Sequence, residues 1–323
     1  MNDNELQLLA ANALKTIARN EQIKSYIQAS EELYPLLFRA AQRFIAGSTR
    51  ESALVEALNL ISKGYRVSLE YIGENTSTEQ ECIAAKNEFL QLAHAAGKAR
   101  LQTAICLDLS HIGMIIDAEL AYRHLAELAL TAADYGSTVM ISAEESHKTD
   151  QILGLYKKTS KVCPNVGITL QAHLHRTERD LLDILPYHGR IRLVKGAFQE
   201  PKEIALPRSQ ELNDRYLHLA EMLVSSGRPV SIATHDEKII EEVCQRGYLA
   251  QPNVELEMLY GIRPDRLKKL KDEGYRTKVY VPYGQEWHLY FFHRLAEYPP
   301  NIYRAIADMT TPDTFKKSLY FNC

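Results

Sequence analysis

Residues 167–194 read GITLQAHLHRTERDLLDILPYHGRIRLV, and the fold turns on this stretch. Gly167–Ala172 and Arg190–Val194 are short, largely apolar runs of strand length. Between them Leu181, Leu182, Ile184 and Leu185 recur at helical spacing. The same alternation extends in both directions. Further candidate strands are Val67–Tyr71, Ala104–Leu109, Thr138–Ser142, Val230–Ala233, Glu255–Met258 and Thr277–Tyr280. Strands that alternate with helices imply parallel pairing through right-handed crossovers. Eight such pairs predict an α/β chain closed as a (β/α)8 TIM-type barrel. No two of the 15 glycines stand two apart, so the chain lacks the dinucleotide fingerprint of a doubly wound sheet and the phosphate-binding loop of NTPases.

Helix starts support this frame. Thr76-Ser-Thr-Glu79 reads as a capping box, and Ser48-Thr-Arg-Glu51 as another start before the first strand. Pro264 follows Arg263 where a first helical turn tolerates proline. Residues 1–46 look wholly helical, an extension expected to cover the bottom or side of a single barrel domain over 47–323.

Composition narrows the function. With a net charge of −3 and no basic run, nucleic acid is an unsuitable partner. The five cysteines are odd in number and lack a CxxC pair, which argues against a disulfide framework or a four-cysteine zinc site. No apolar run approaches the roughly 20 residues of a membrane span, and the acidic N-terminus does not read as a signal peptide. A cytoplasmic protein is expected, with peripheral membrane contact left open.

A barrel of this kind builds its active site at the C-terminal ends of its strands. There the chain places Glu70, Glu74, Asp108, Ser110, Ser142, Glu144, Glu145, Gln171, His173 and His175. Arg192, Lys195, Thr234, His235, Leu259, Tyr280, Tyr290, His293, Arg294 and Glu297 follow. Buried without partners, such groups would cost about 1–3 kcal/mol each, so part of the set is expected to meet a ligand. Arg192 and Lys195 beside Gly196-Ala197 suit an anionic or electron-rich cofactor approached closely by backbone. His173, His175 and His235 offer a rival, a metal-dependent barrel hydrolase. That reading lacks a late strand-end Asp, and Arg176 follows the second histidine.

Several segments resemble the proline dehydrogenases. They are Gly73-Glu74, Glu144-Glu145, Gln171-Ala172, Arg192-Leu-Val-Lys-Gly-Ala197, Ala233-Thr-His235 and Met258-Leu-Tyr-Gly261. Tyr280-Val-Pro-Tyr-Gly284, Tyr290-Phe-Phe-His-Arg294 and Glu297 complete the match, which runs from about residue 34 to about residue 310 and is most like the short monofunctional bacterial enzymes. The resemblance implies non-covalent FAD at the barrel mouth and oxidation of an amine carbon–nitrogen bond by hydride transfer to flavin N5. It implies Arg192 near N5 and Gln171 at the pyrimidine edge. Lys195, Gly196, Ala197, Thr234, His235 and Glu297 would hold the remainder. Leu259, Tyr280 and Tyr290 would wall the substrate, and Arg294 would grip its carboxylate, which makes Arg192, Tyr280 and Arg294 the catalytic candidates. An electron acceptor, quinone or soluble carrier, is implied as well.

The departures fall on the substrate side. The family's Lys on the second strand aligns with Asp108, its Asp on the third with Ser142, and the first Arg of its final-helix pair with His293. No Lys or Arg occurs from Leu101 to Tyr122. These changes predict weak use of free L-proline and better use of an amine with a masked carboxylate or an extra basic group. A member that binds flavin without turnover is the remaining alternative.

Overall fold

A computed structural model describes residues 3–298, 300–310 and 320. Eight strands close a parallel barrel in sequence order. They are β1 Arg66–Tyr71, β2 Ala104–Leu107, β3 Thr138–Ile141, β4 Val166–Gln171, β5 Ile191–Val194, β6 Val230–Ala233, β7 Val254–Leu259 and β8 Thr277–Tyr283. Before them come α1 Asp3–Ala18, α2 Glu21–Ala29, α3 Leu33–Ala41 and α4 Arg50–Ser62. The crossovers carry α5 Glu79–Lys98, α6 Ala118–Ala133, α7 Thr149–Ser160, α8 Thr177–Ile184, α9 Gln210–Ser225, α10 Glu237–Gln245 and α11 Pro264–Asp272. The chain then adds α12 Trp287–Glu297 and α13 Pro300–Thr310. The architecture expected from the alternating pattern is the one observed.

Three local expectations are corrected. The capping box of α5 is Thr78 with Glu81, not Thr76 with Glu79. Thr76 instead donates its hydroxyl to the Ser110 carbonyl at 2.9 Å, tying the loop after β1 to the loop after β2. For α4 the capping residue is Thr49, whose oxygen accepts from the Ser52 amide, rather than Ser48. The last strand runs through Pro282 to Tyr283 instead of stopping at Tyr280. Proline is tolerated because this end is held through carbonyls. Pro282 O accepts from Ala46 N at 2.9 Å and Tyr283 O from Ile72 N at 2.8 Å.

Helices α1 to α3, the extension of residues 1–46, are seated at the mouth rather than over the bottom or side, while α4 packs on β1 and β8. α1 packs along α12, past the C-terminal end of β8, and lends Asn12, Lys15, Thr16 and Arg19 to the wall of the cleft at the barrel mouth. Their apolar faces seal a cluster in which Tyr34 and Phe38 meet Trp287 edge-on, at centroid distances of 5.7 Å each.

The main core lies between the strands' outer faces and the crossover helices, built from Leu69, Ile105, Leu107, Ile141, Ile191, Ile232 and Leu256 among others. The inward faces are polar instead. Glu255, 1% exposed, accepts from Ser231 at 2.6 Å and pairs with Arg66, Arg190 and Lys278. Burial opposes its charge, but Lys278 and Arg190 outweigh that and hold its carboxyl down at about 2. One layer nearer the mouth, Glu257 takes both prongs of Arg192 and the hydroxyl of Ser68. An interior of complementary charge is stable only when each partner is met, and here it forms a rigid floor under the mouth.

Candidate active site

The floor of the cleft is set by β5 and β7. Arg192 donates through Nε to Glu257 at 2.9 Å and through Nη2 at 2.8 Å, and also reaches Cys106 Sγ at 3.1 Å. Its guanidinium lies 5.0 Å from the Tyr280 ring centroid. So held, Arg192 is a fixed cation with one face turned to the cleft. The β5 loop continues with Lys195, which donates to Asp236 at 2.6 Å and Asn213 at 2.5 Å. Asp236 is itself the N-cap of α10, so one carboxylate positions both the lysine and a helix start. Gly196 adopts φ +107°, and a Cβ there would stand 2.1 Å from His173 Nδ1. Only glycine lets this loop pack on the histidine.

On β6 the Thr234 hydroxyl accepts from the Asp236 amide at 3.1 Å, and His235 Nε2 accepts from the Leu259 amide at 2.9 Å. An accepting Nε2 leaves the proton on Nδ1. Burial, with Arg294 and Arg263 nearby, holds this imidazole neutral, its pKa down at about 3. Gln171 donates to the Glu144 carbonyl at 2.9 Å while its Oε1 finds no partner.

The far wall is α12. Arg294 donates to Glu297 at 2.6 Å and lies 5.0 Å from the Tyr290 ring centroid, and its Nε is buried and unpartnered. The hydroxyl of Tyr290 is likewise unpartnered. His293 lines the same wall, kept neutral by burial and by Arg294, Arg19 and Lys15, at about 4. Arg294 and Glu297, assigned separate duties from the sequence, pair with each other.

The third side is acidic. Glu70, Glu74, Asp108, Ser142 and Glu145 line the cleft. Burial pushes the Glu70 carboxyl up to about 7, against the Tyr280 hydrogen bond and the charges of Arg192 and Arg294. Burial raises Asp108 well above the carboxylate range, and Glu144, Glu70 and Glu74 add to it. Lys148, 7% exposed, answers this side only partly, donating to Glu144 at 2.9 Å, Asn75 at 2.7 Å and Glu145 at 2.9 Å.

Around one cleft the structure brings Asp108, Ser142, Gln171, Arg192, Lys195, Gly196, Ala197, Thr234 and His235. Leu259, Tyr280, Tyr290, His293, Arg294 and Glu297 complete it. The three histidines of the hydrolase alternative do not converge. His175 is exposed with Nε2 on the Lys202 carbonyl, His173 packs behind Gly196, and His235 is bonded to Leu259. Among the described residues no group of three or more His, Cys, Asp or Glu could hold a metal ion.

Sequence reasoning did not single out Glu257, Cys106, Lys148, His111 or Asp236. A signal for the first was present. Glu255 and Glu257 alternate on a strand whose outer face a helix must cover, so both point inward and need the inward cations Arg190 and Arg192.

A family model described as proline dehydrogenase matches residues 53–297. The chain is 34% identical to Proline dehydrogenase 1 of Bacillus subtilis (strain 168) over 264 residues, 81% of this chain and 87% of that protein. It is 31% identical to the proline dehydrogenase of Deinococcus radiodurans over 302 residues, 91% of this chain and 95% of that one. Among solved structures, proline utilization A (PutA) from Bdellovibrio bacteriovorus, inactivated by N-propargylglycine, superposes with a TM-score of 0.74. That match has 16% identity and covers 96% of this chain but 39% of the longer PutA chain, so it speaks to the fold alone.

Proposed function

Because the chain belongs to the proline dehydrogenase family, we propose that it is an FAD-dependent enzyme that oxidises a cyclic or secondary amine, proline or a proline-like compound. It is an oxidoreductase acting on a CH–NH group. The observation that carries the cofactor is the set of buried polar atoms left without partners around the cleft, Gln171 Oε1 and Arg294 Nε foremost, opposite a fixed Arg192. Natural interiors rarely leave such atoms unmet without a ligand in view.

Arg192 and Gln171 would flank the redox ring. Lys195, the Gly196-Ala197 backbone, Thr234 and His235 would hold the phosphates and sugars, and Glu297 the far end. When bound, FAD supplies the acceptor for the hydride leaving the carbon next to nitrogen. The chain's residues do the rest. Arg294 offers its free Nε to a carboxylate, Leu259, Tyr280 and Tyr290 wall the ring, and Glu70 stands beside Tyr280 on the acidic side. The Glu257 pair keeps Arg192 charged and fixed before substrate arrives, so little reorganisation accompanies the reaction. The electrons then pass to a quinone or a soluble carrier. No described helix is long and apolar enough to cross a membrane.

Purified protein should show flavin absorbance, release the colour on acid precipitation, and bleach anaerobically on adding a secondary amine. Protein that stays colourless with added FAD would overturn this reading. Bound FAD that no cyclic or secondary amine bleaches would leave a flavin-binding protein without turnover.

A further inference from the structure

We propose that the cleft contains a cation-accepting subsite on its β1–β2 side, and that the substrate is a cyclic or secondary amine carrying a second ammonium or guanidinium group. The proposal deepens the amine-oxidation reading above and rests on it.

Three carboxylates carry the argument. Glu70 at the end of β1, Glu74 in the following loop and Asp108 just past β2 all line the cleft, and none has an ion pair among the described residues. Lys148 is engaged on Glu144 and Glu145, Arg192 on Glu257 and Arg294 on Glu297, while Arg19 of α1 lies within charge range of Glu74 without forming an ion pair with it. A structural charge cluster would enclose its counter-ion, as Glu255 does two layers below with Arg66, Arg190 and Lys278. This one faces open space instead.

A second observation points to a ligand there. His111, 7% exposed, lines the same wall with Nδ1 buried and unbonded. Its ring is stacked on Tyr71 at 5.4 Å and packed on Gly73, where a Cβ would stand 2.3 Å from Nε2. The imidazole is therefore fixed against Tyr71, Phe89 and Gly73 with a nitrogen unmet. Ser142 Oγ, also unpartnered, stands on the same side. The carboxylates of this wall suit a donor cation and repel a second carboxylate, and the unmet imidazole nitrogen and hydroxyl beside them are polar groups left for a ligand to meet.

Burial and mutual repulsion raise the proton affinity of Glu70, Glu74 and Asp108, against Lys148, Arg192, Arg294 and Arg19 around them. An arriving cation therefore displaces a proton, and its binding tightens as pH rises.

Calorimetry on the FAD-loaded enzyme should compare L-proline with cis-4-amino-L-proline, in two buffers of different ionisation enthalpy. The amino derivative should bind about ten- to a hundredfold more tightly and release protons. Asp108→Asn and Glu74→Gln, each shown folded by circular dichroism, should shrink that preference, and Asp108→Lys should reverse it. Equal or tighter binding of L-proline overturns the subsite, as does a preference that none of the three variants alters, or binding of neither compound. Anaerobic bleaching of the flavin is scored separately. Bleaching by proline with no cation preference sinks the subsite and leaves amine oxidation standing, whereas selective cation binding with no bleaching by any amine sinks the oxidation.

Discussion

Arg192 shows how much of a residue's role its partners decide. Its place at a strand end beside Lys195 and Gly196 marks it as a cation near a cofactor, but its hydrogen bonds go to Glu257, 65 residues away. Arginine 4% exposed and glutamate 2% exposed form one unit. Removing the cation alone leaves a buried carboxylate uncompensated, which costs about 3–5 kcal/mol. Arg192→Ala should therefore lower the urea midpoint substantially, apart from any effect on FAD. Adding Glu257→Gln to that variant should recover a good part of the loss, because the stranded charge is gone. Should the double variant unfold no later than the single one, the pair is not the structural floor described here.

At the scale of elements, the loop from β5 to α9 is the most constrained part of the mouth. Gly196 is left-handed and seated on His173, Lys195 is pinned to Asp236, and the Arg208 guanidinium donates to the Gly196 carbonyl at 2.6 Å. Gly196→Ala would put a Cβ into the imidazole and strain the backbone, at a cost of about 1–3 kcal/mol. The expected outcome is a lower melting temperature and a weaker FAD dissociation constant, by fluorescence titration, with the barrel still folded by far-UV circular dichroism. An alanine variant that melts and binds FAD like the parent would show that the loop yields, and that glycine here serves no close approach.

For the whole molecule, the informative junction is between the N-terminal helices and the barrel. The chain's single tryptophan, Trp287, is 1% exposed at that junction, between Tyr34 and Phe38 of α3 and Phe291 of α12. Its emission reads the docking of the extension directly. Phe38→Ala removes an edge-on ring and opens a gap beside the indole. It should shift the emission to the red at denaturant concentrations where the barrel's far-UV signal is unchanged. Since α1 also walls the cleft, the same variant should weaken substrate binding. Coincident loss of both signals would make extension and barrel one cooperative unit.

The sequence by itself determined the barrel, because parallel strands and crossover helices are written in local periodicity and each element's apolar face is visible in its own residues. It also determined which residues stand at strand ends, and through the resemblance which of them share a cleft. Helix starts were legible only to within one or two positions, since Thr76 and Thr78 both stand three residues before a glutamate. What only the tertiary structure decided was every pairing across the barrel. Arg192 with Glu257, Lys195 with Asp236, Lys148 with Glu144 and Arg294 with Glu297 were all open to other partners. So were the seating of α1 at the mouth and the unpaired state of Glu70, Glu74 and Asp108. A charge's partner depends on distance after closure, and sequence separation carries almost none of that information.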